Sequence, residues 1–390
     1  MNWPYRNTLL SLTTLAFAAT MVARLVISPL VPDVTAAFGV SRGTLGLALS
    51  GMWAAYALSQ YPGGLLADRY GERKLLLVAA GSVGIASLLL AASPLFATFA
   101  LFAVALGAAA GLPYSAATSL LTKAFDETGR AIGIYAAGGP AAGLLAPVAA
   151  TTVAAVLGWR SAIGLGALVA VPTAVGIALL VRPTQPDRPD AALTERVHPS
   201  VVRDVLTRPS IAFTILVAIG GAFTWQAVAS FLPTFLVQYW GYSQGTAGLV
   251  FSAYFVANGA TQPVTGWLSD HVGRDAAAAV TMGTAAVGFV VLLAAPTRRL
   301  ALAAIPLVGL GMSWGAPVQT RFMDLLGEGE QAMGFGLVRT VYMTVGALGS
   351  VVVGALSDAI GWTVAFGLLA VLMGLAVAAL LGWNRFTVGA

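Results

Sequence analysis

Long apolar runs are the feature of this sequence that most limits what it can fold into. Hydrophobic residues make up 58% of the 390 residues and charged residues only 9%, against about 25% charged in a typical soluble domain. A helix needs roughly 20 apolar residues to cross a bilayer, and runs of that length recur along the chain. The short alternating strands of a membrane β-barrel are not seen. We therefore predict an all-α integral membrane protein.

Twelve apolar runs predict twelve spanning helices in two sets of six. The first set lies near residues 8–38, 43–67, 74–92, 95–122, 130–157 and 160–181. The second set lies near residues 210–239, 244–269, 276–295, 299–322, 331–357 and 361–383. The polar, proline-rich stretch between the sets indicates a linker. We predict an N-terminal six-helix bundle at 1–181, a cytoplasmic linker at 182–208 and a C-terminal six-helix bundle at 209–390.

The basic residues predict the orientation in the membrane. With the N-terminus inside, fourteen of the twenty Lys and Arg residues fall in cytoplasmic segments, four fall outside and two fall within helices. Because basic loops stay on the cytoplasmic side, we expect both termini in the cytoplasm and the chain in an inner or plasma membrane. The same distribution accounts for the net charge of +5 without nucleic acid as a partner. We expect a monomer surrounded by lipid.

The residue inventory argues against enzymatic chemistry. The sequence has no cysteine, and its two histidines, His198 and His271, fall in polar segments. It contains no HExxH motif, no pair of intramembrane aspartates and no phosphate-binding P-loop. We therefore predict no enzyme activity, no cofactor and no bound metal.

The two halves of the sequence repeat each other. When the chain is shifted by 202 residues, residues 39–73 align with 241–275, and thirteen of the 35 positions are identical. Most of the identical residues are Gly, Ser, Thr, Gln and Asp, which seldom coincide by chance in apolar sequence. Two parallel six-helix repeats are the architecture of one class of secondary transporters.

A polar motif follows the second predicted helix and recurs after the eighth. Its residues are Gly64, Asp68, Arg69, Gly71 and Arg73 in the first copy, and Gly266, Asp270, Gly273 and Arg274 in the second. The motif, the twelve spans and the half repeat together resemble the major facilitator superfamily over nearly the whole chain. The resemblance implies two pseudo-symmetric bundles, transport by alternating access and a gating role for this loop. One departure is Glu72, where the family usually has a basic residue.

Physical arguments assign expected roles within the first copy of the motif. Gly64 would let two helices approach closely, and Gly71 would allow a tight turn of the chain. The carboxylate of Asp68 suits the positive N-terminus of another helix. The resemblance implies that this helix is the eleventh, which is expected to start near Glu330.

The basic residues of the same loop are expected to form ion pairs. Arg69 and Arg73 could pair with Asp126 or Glu127, which follow the fourth predicted helix. Such pairs would hold the cytoplasmic side shut and release when the halves move. The alternative is a basic turn that fixes only the topology.

Two arginines lie inside predicted spans, and no acidic residue accompanies them at mid-membrane. An uncompensated charge there costs several kcal/mol, so Arg24 and Arg339 are candidates for binding a substrate. Arg24, eight residues before Pro32, resembles the first-helix Arg of anion:cation symporters and organophosphate:phosphate antiporters. This resemblance implies contact with the anionic group of a substrate. In the repeat register Arg24 aligns with Gln226, beside Trp225, and the pair could clamp a carboxylate or phosphate.

Structural roles for both arginines remain open at this point. Arg24 could instead pair with Asp33 or extend towards the outer surface. Arg339, about two turns into the eleventh helix, could instead bond helix carbonyls or the signature loop as part of an inner gate.

Other polar and aromatic side chains form stripes on predicted helices. They are Tyr56 and Gln60 on the second helix, Tyr254, Asn258 and Gln262 on the eighth, and Trp314 on the tenth. Polar groups avoid lipid, so these stripes are expected to face the bundle interior. There they would either line a substrate cavity or bond a neighbouring helix, and the pattern does not favour one over the other.

These features together favour a secondary transporter of a small anionic solute, coupled to protons or to a counter-anion. One alternative is a proton-coupled multidrug or metabolite exporter of the same fold. That alternative is suggested by Gly138, Gly139 and Pro140 on the fifth helix, although Tyr135 stands where the exporter motif has a glycine. Another alternative is a non-transporting membrane sensor. The sequence leaves the substrate, the direction and the coupling ion open.

Overall fold

The computed structural model describes residues 5–189, 199–327 and 331–388. Helices make up the regular structure of this described part, which contains no strand. The first nine are α1 (Tyr5–Leu25), α2 (Val31–Phe38), α3 (Arg42–Tyr70), α4 (Glu72–Ala91), α5 (Phe96–Gly111), α6 (Pro113–Ala124), α7 (Thr128–Leu157), α8 (Trp159–Ile163) and α9 (Leu165–Leu180). The next nine are α10 (Pro199–Thr207), α11 (Pro209–Gln238), α12 (Gln244–Val272), α13 (Arg274–Ala294), α14 (Arg298–Gly311), α15 (Gly315–Leu325), α16 (Gln331–Gly346), α17 (Leu348–Ala359) and α18 (Trp362–Val388).

These helices lie at the positions of the twelve predicted spans, and the all-α membrane fold is confirmed. Within the described residues, ten segments are long and apolar enough to cross a membrane. The remaining two predicted spans are α3 and α12, each 29 residues long. Both carry the polar residues of the repeated motif, which lower their mean hydropathy.

Several predicted spans are interrupted, which the sequence analysis did not anticipate. The first span breaks between α1 and α2, where Ser28–Leu30 forms a 3-10 helix with a proline at its start. The tenth breaks at a second 3-10 helix, Met312–Trp314. Proline lacks the N–H that a continuous helix needs and clashes with the preceding turn. Pro29 therefore lies at a break in the first span, whereas Pro140 and Pro147 lie inside the unbroken α7.

The predicted linker contains a helix of its own. α10 begins at Pro199, inside the segment 182–208 that the sequence predicts as a linker. Proline is favourable in the first turn of a helix, because the N–H that it lacks would be unpaired there. Val205 is buried at 1% exposure, and α10 packs against α11 and α16. Apolar contacts therefore stabilise the second part of the linker as a short helix.

The chain divides into two compact units. The first unit comprises Met1–Val40 and Gly51–Val197, and the second comprises Ser41–Ser50 and His198–Ala390. In the first unit α1 packs against α7 and α9, and α4 packs against α5 and α9. In the second unit α13 packs against α14 and α18, and α11 packs against α16 and α17. The first two turns of α3 belong to the second unit and the rest of that helix to the first.

Each unit contains the same close contact at repeat-related positions. In the first unit a Cβ atom on Gly107 would collide with the carbonyl oxygen of Met52. In the second unit a Cβ atom on Gly309 would lie 2.7 Å from the carbonyl oxygen of Tyr254. Both pairs are related by the shift of 202 residues found in the sequence. Only glycine permits helix backbones to approach this closely, which is a common means of helix packing in membranes.

Candidate functional site

Arg24 lies in the last turn of α1, directly before the break in the first span. The residue is 2% exposed. Its Nε donates to the carbonyl oxygen of Thr20 at 2.9 Å, and its Nη2 donates to Sδ of Met21 at 3.2 Å. Its buried Nη1 has no hydrogen-bond partner among the described residues. The helix break therefore presents a buried cation with an unused donor near the negative end of a helix dipole.

Two aromatic rings cover this guanidinium. Its Cζ lies 4.0 Å from the ring centroid of Tyr56 and 4.9 Å from that of Trp53. A desolvated cation–π contact contributes about 2 kcal/mol, so the rings offset part of the cost of burial. The suggested pairing of Arg24 with Asp33 remains a prediction. Tyr56 was predicted as a site residue, whereas Trp53 was missed because its partner lies on another helix.

Gln226 occupies the corresponding position in the second unit. The residue is 1% exposed, and its Nε2 donates to the carbonyl oxygen of Met343 at 3.1 Å. Its buried Oε1 has no hydrogen-bond partner within the described residues. The adjacent Trp225 is half-buried. Arg24 and Gln226 belong to different units, so the predicted clamp between them remains a prediction.

Trp314 is held at the break in the tenth span. It ends the 3-10 helix Met312–Trp314 and is 6% exposed. Its indole lies against Gly221, where a Cβ atom would collide with the ring. On its other side it meets the ring of Tyr342, with centroids 6.4 Å apart. Its Nε1 is buried without a hydrogen-bond partner in the described part of the chain, which leaves a donor available at this break.

The polar stripe on α12 is used mainly for packing. Asn258 donates through Nδ2 to the carbonyl oxygen of Gly309, at 3.2 Å, so it bonds a neighbouring helix. Tyr254 is fully buried, stacks on Phe251 and contacts Phe255 edge to face.

The remaining candidates are partly exposed. Gln262 and Gln60 are half-buried. Arg339 is also half-buried, in α16, one turn before Met343. Its expected role in binding a substrate remains a prediction.

The signature loop makes the tight turn that the sequence predicted. Gly71 has φ +88° and its repeat partner Gly273 has φ +92°, a region that side-chain-bearing residues rarely adopt. The close helix approach predicted for Gly64 is found at its neighbour instead. A Cβ atom on Gly63 would lie 2.7 Å from the carbonyl oxygen of Leu112, whereas one on Gly64 would make only ordinary contacts. A helix register shifted by one residue explains the difference.

The predicted ion pairs of this loop are not formed. Asp126 pairs with Arg6 at 3.2 Å, and Glu127 pairs with Arg130 at 3.4 Å. Arg73 instead donates to the carbonyl oxygen of Ala178 at 2.6 Å. The side chain of Arg73 lies beyond the Gly71 turn, where it reaches carbonyls near the end of α9. The Cζ of Arg69 lies 5.5 Å from the ring of Tyr70.

The start of the linker crosses the signature loop. The backbone N–H of Arg73 donates to Oγ1 of Thr184 at 3.1 Å, and the N–H of Arg188 donates to the carbonyl oxygen of Asp68 at 2.9 Å. A Cβ atom on Gly71 would lie 2.7 Å from the carbonyl oxygen of Thr184. The expected partner of Asp68, the start of the eleventh helix at Glu330, lies outside the described residues.

The unusual Glu72 is a structural residue. It is 2% exposed, accepts from Lys123 at 2.6 Å and accepts from Ser119 at 3.1 Å. Lys123 also pairs with Asp187 of the linker at 2.6 Å. Its Oε1 thus has two donors, whereas its buried Oε2 has no hydrogen-bond partner among the described residues.

The second copy of the motif carries the opposite polarity. Arg274, the repeat partner of Glu72, pairs with Asp270 at 2.5 Å and with Asp324 at 3.0 Å. Asp275, the repeat partner of Arg73, pairs with Arg321 at 2.5 Å. Ion pairs therefore join α4 to α6 in the first unit and α13 to α15 in the second. The acidic and basic residues are exchanged between the two units.

A further set of contacts joins the first turn of α3 to α17 within the second unit. Arg42 Nε lies 2.6 Å from Asp358 Oδ1, and the N–H of Gly43 donates to Asp358 Oδ2 at 2.7 Å. The negative carboxylate thus caps the positive end of α3. Two turns on, Ser50 donates to the carbonyl oxygen of Ala347 at 2.6 Å and accepts from the N–H of Val351. We call Arg42, Gly43, Ser50 and Asp358 the outer clamp, after the outward position that the basic-residue distribution predicts for this end of α3.

Comparison with known protein families gives a match over nearly the whole chain. Residues 13–243 and 214–388 match the family model described as Major Facilitator Superfamily. Probable anion transporter 6, chloroplastic, of Arabidopsis thaliana is 30% identical over 185 residues, which are 46% of this chain and 35% of that protein. The probable sulfoacetate transporter SauU of Cupriavidus necator is 31% identical over 170 residues, 42% of this chain and 39% of that protein. The matched segments thus span less than half of either relative.

Solved structures share the fold. A bacterial homologue of the human lysosomal transporter Spinster, crystallised inward-facing and unoccupied, has a TM-score of 0.84 at 17% identity, with 99% of this chain and 98% of that chain covered. The D-xylose-proton symporter has a TM-score of 0.81 at 15% identity, with 97% of each chain covered. At these identities the likeness extends to the fold alone.

Proposed function

The chain belongs to the major facilitator superfamily of membrane transporters, and we propose that it is a secondary transporter of a small anion. Its membrane-spanning helices, its half repeat and the matched residues all agree with membership of this family. The substrate class, the mechanism and the orientation are each proposed on a separate observation.

The proposal of an anionic substrate rests on the buried environment of Arg24. The guanidinium has ring faces, a backbone carbonyl and a thioether around it, and its Nη1 has no hydrogen-bond partner among the described residues. An anion would provide the missing charge and acceptor together, and a charge-assisted hydrogen bond in a dry site is strong. Two relatives whose names specify anion and sulfoacetate transport support the same substrate class.

Alternating access is the proposed mechanism. In this proposal the halves 1–181 and 209–390 move about a central site, and substrate binding at Arg24 lowers the cost of burying its charge. The outer clamp closes one side, and the signature loops with their ion pairs act on the other. The carboxylate of Asp358 on the end of α3 supports the first part, because such an ion pair can break and re-form in water at low cost.

We propose that the protein lies in the inner or plasma membrane. In the proposed orientation the signature loops, the linker and both termini face the cytoplasm. The excess of basic residues in those segments supports it. Protons or a counter-anion are the proposed coupling ions, and we propose a monomer.

Uptake by proteoliposomes tests the substrate class. We would load vesicles containing the purified protein with buffer and add labelled sulfoacetate, phosphate, acetate or gluconate, with the cation tetraphenylphosphonium as the opposite class. We expect uptake of at least one of the anions and no transport of the cation. Transport of the cation alone would favour the exporter alternative, and substrate binding without transport would favour a sensor.

Variants of Arg24 link the transport to the proposed site. Arg24→Gln removes the charge, and Arg24→Lys keeps the charge but loses the planar donor group. Loss of one charged hydrogen bond in a dry site costs roughly 1.5–3 kcal/mol, or about 10- to 150-fold in affinity. We expect Arg24→Gln to abolish uptake and Arg24→Lys to weaken it strongly, while Gln226→Ala raises KM more modestly. Anion uptake by Arg24→Gln at wild-type affinity would refute the assignment.

The packing of α7 does not favour the exporter alternative. A Cβ atom on Gly138 would lie 2.8 Å from the carbonyl oxygen of Thr14, and one on Gly139 would lie 3.0 Å from the ring of Phe17. These glycines allow α7 to pack closely on α1, which accounts for them without a role in proton coupling.

A further inference from the structure

Two rings on one face of α3 hold the guanidinium of Arg24. Trp53 and Tyr56 are three residues apart on this helix, so they project from the same side. Trp53 is 2% exposed and Tyr56 is 5% exposed. Their ring centroids lie 4.9 Å and 4.0 Å from Cζ of Arg24. Two rigid side chains therefore restrict where the plane of the guanidinium can lie.

The hydrogen bonds of Arg24 determine which of its edges remains for a ligand. Its Nε is taken by the carbonyl oxygen of Thr20, so the edge formed by Nε and Nη2 is closed. Among the described residues, the only hydrogen bond to the terminal edge formed by Nη1 and Nη2 is with the thioether of Met21, at Nη2. Because a thioether is a weak acceptor, an oxyanion can displace it readily.

Aromatic rings are better suited than an acidic residue to hold an arginine that must bind an anion. A carboxylate beside Arg24 would neutralise its charge and compete with the substrate for the same N–H groups. Ring faces stabilise the cation while leaving its formal charge and its N–H donors in place. The arrangement thus keeps a buried arginine stable and still attractive to an anion.

We propose that Trp53 and Tyr56 are positioning residues that present the terminal edge of Arg24 to a substrate oxyanion with two available oxygens, such as a carboxylate, sulfonate or phosphate. This inference rests on the proposed function, because it describes how that site holds its anion. Tyr56 acts in it through its ring and not through its hydroxyl group, which differs from both roles that the sequence left open, lining a substrate cavity and bonding a neighbouring helix.

Ring-deleting and ring-keeping variants separate these roles in transport. Trp53→Leu and Tyr56→Leu remove the ring faces, and we expect each to raise KM for the transported anion of the panel about tenfold, which corresponds to about 1.4 kcal/mol. Trp53→Phe and Tyr56→Phe restore a ring, and we expect them to recover most of the lost affinity. If Tyr56→Phe is as impaired as Tyr56→Leu, the hydroxyl group contacts the substrate and the proposal is wrong for Tyr56.

A chemical readout that needs no substrate tests the same idea independently. Phenylglyoxal modifies arginine side chains, and peptide mass spectrometry can follow the modification of Arg24 in purified protein, with Arg24→Lys as the blank. We expect slow modification in the wild type and in both Phe variants, and at least several-fold faster modification in both Leu variants. Equal rates in all five proteins would overturn the proposal.

The two readouts also separate this inference from the proposed function. If no anion is transported but the modification rates follow the expected order, the proposed function fails and the positioning of Arg24 stands. If anions are transported and neither KM nor the modification rate responds to loss of the rings, the positioning role fails and the proposed function stands.

Discussion

Arg24 illustrates at the scale of single residues how a bilayer can hold a cation without an acidic partner. The sequence places this arginine inside an apolar run and offers no acid at its depth, so a special environment could be predicted. The rings that provide it, Trp53 and Tyr56, lie on α3, and helix-to-helix contacts are not encoded in local spacing. The close approach assigned to Gly64 but found at Gly63 has the same cause.

Gly221 offers a direct test of the contact that holds Trp314. We expect Gly221→Ala to destabilise the protein by about 1–3 kcal/mol, the usual cost of overpacking, because the new methyl group collides with the indole. Thermal unfolding in detergent would measure the loss. The matched control is Gly220→Ala, where a Cβ atom would meet only Cε of Met373 at 3.9 Å. Equal melting temperatures for the two variants would contradict the contact.

At the scale of helices, the positions of the spans follow from the sequence more closely than their continuity does. Length and hydropathy locate a span because the bilayer core sets a minimum apolar length. Whether a proline breaks the helix depends on neighbours that can bond the freed backbone groups. Pro29 lies at a break, whereas Pro140 and Pro147 lie inside α7. Apolar patterning gave no indication of the difference.

The glycine turns before α4 and α13 allow a matched comparison. Gly71 (φ +88°, ψ 144°) and Gly273 (φ +92°, ψ 157°) have nearly the same backbone conformation. Alanine at either position is therefore strained, at a cost of about 1–3 kcal/mol. Only at Gly71 must the carbonyl of Thr184 also move. We expect Gly71→Ala to lower the melting temperature more than Gly273→Ala, and to speed proteolysis within residues 182–189. Equal melting temperatures and equal proteolysis rates for the two variants would show that the contact between the linker and this turn does not stabilise the protein.

The outer clamp predicts a measurable coupling between Arg42 and Asp358. Their side chains are 24% and 27% exposed, so solvent weakens the ion pair but does not abolish it. We expect a double-mutant cycle with Arg42→Gln and Asp358→Asn to give a coupling of roughly 1–2 kcal/mol in unfolding free energy. In transport assays Asp358→Asn should change the maximal rate more than KM, because the clamp lies outside the proposed site. A coupling of zero would remove the clamp from the proposed mechanism.

At the scale of the whole molecule, the half repeat could be predicted from the sequence. The exchange of acidic and basic residues between its two copies could not be explained from the sequence. The shift of 202 residues predicts equivalent backbones, and equivalent close contacts are found at Gly107 and Gly309. The same shift pairs Glu72 with Arg274. When the first half is considered alone, Glu72 looks like a departure from the motif. The structure shows that each is matched by an opposite charge nearby, Lys123 and Asp324 respectively. Compensation of this kind depends on helices about 50 residues apart, so it becomes visible only in three dimensions.

The absence of cysteine from the sequence makes the proposed orientation testable over the whole molecule. Any single introduced cysteine is a unique label, and the wild type is its own blank. Gln185 lies in the linker and Ala359 ends α17, and both are exposed. We expect a membrane-impermeant maleimide to label Ala359→Cys in intact cells, because this end of α17 is proposed to face outwards. It should label Gln185→Cys only after the membrane is permeabilised, because the basic residues around the linker are proposed to keep that segment in the cytoplasm. The reverse pattern would invert the topology and place the outer clamp on the cytoplasmic side.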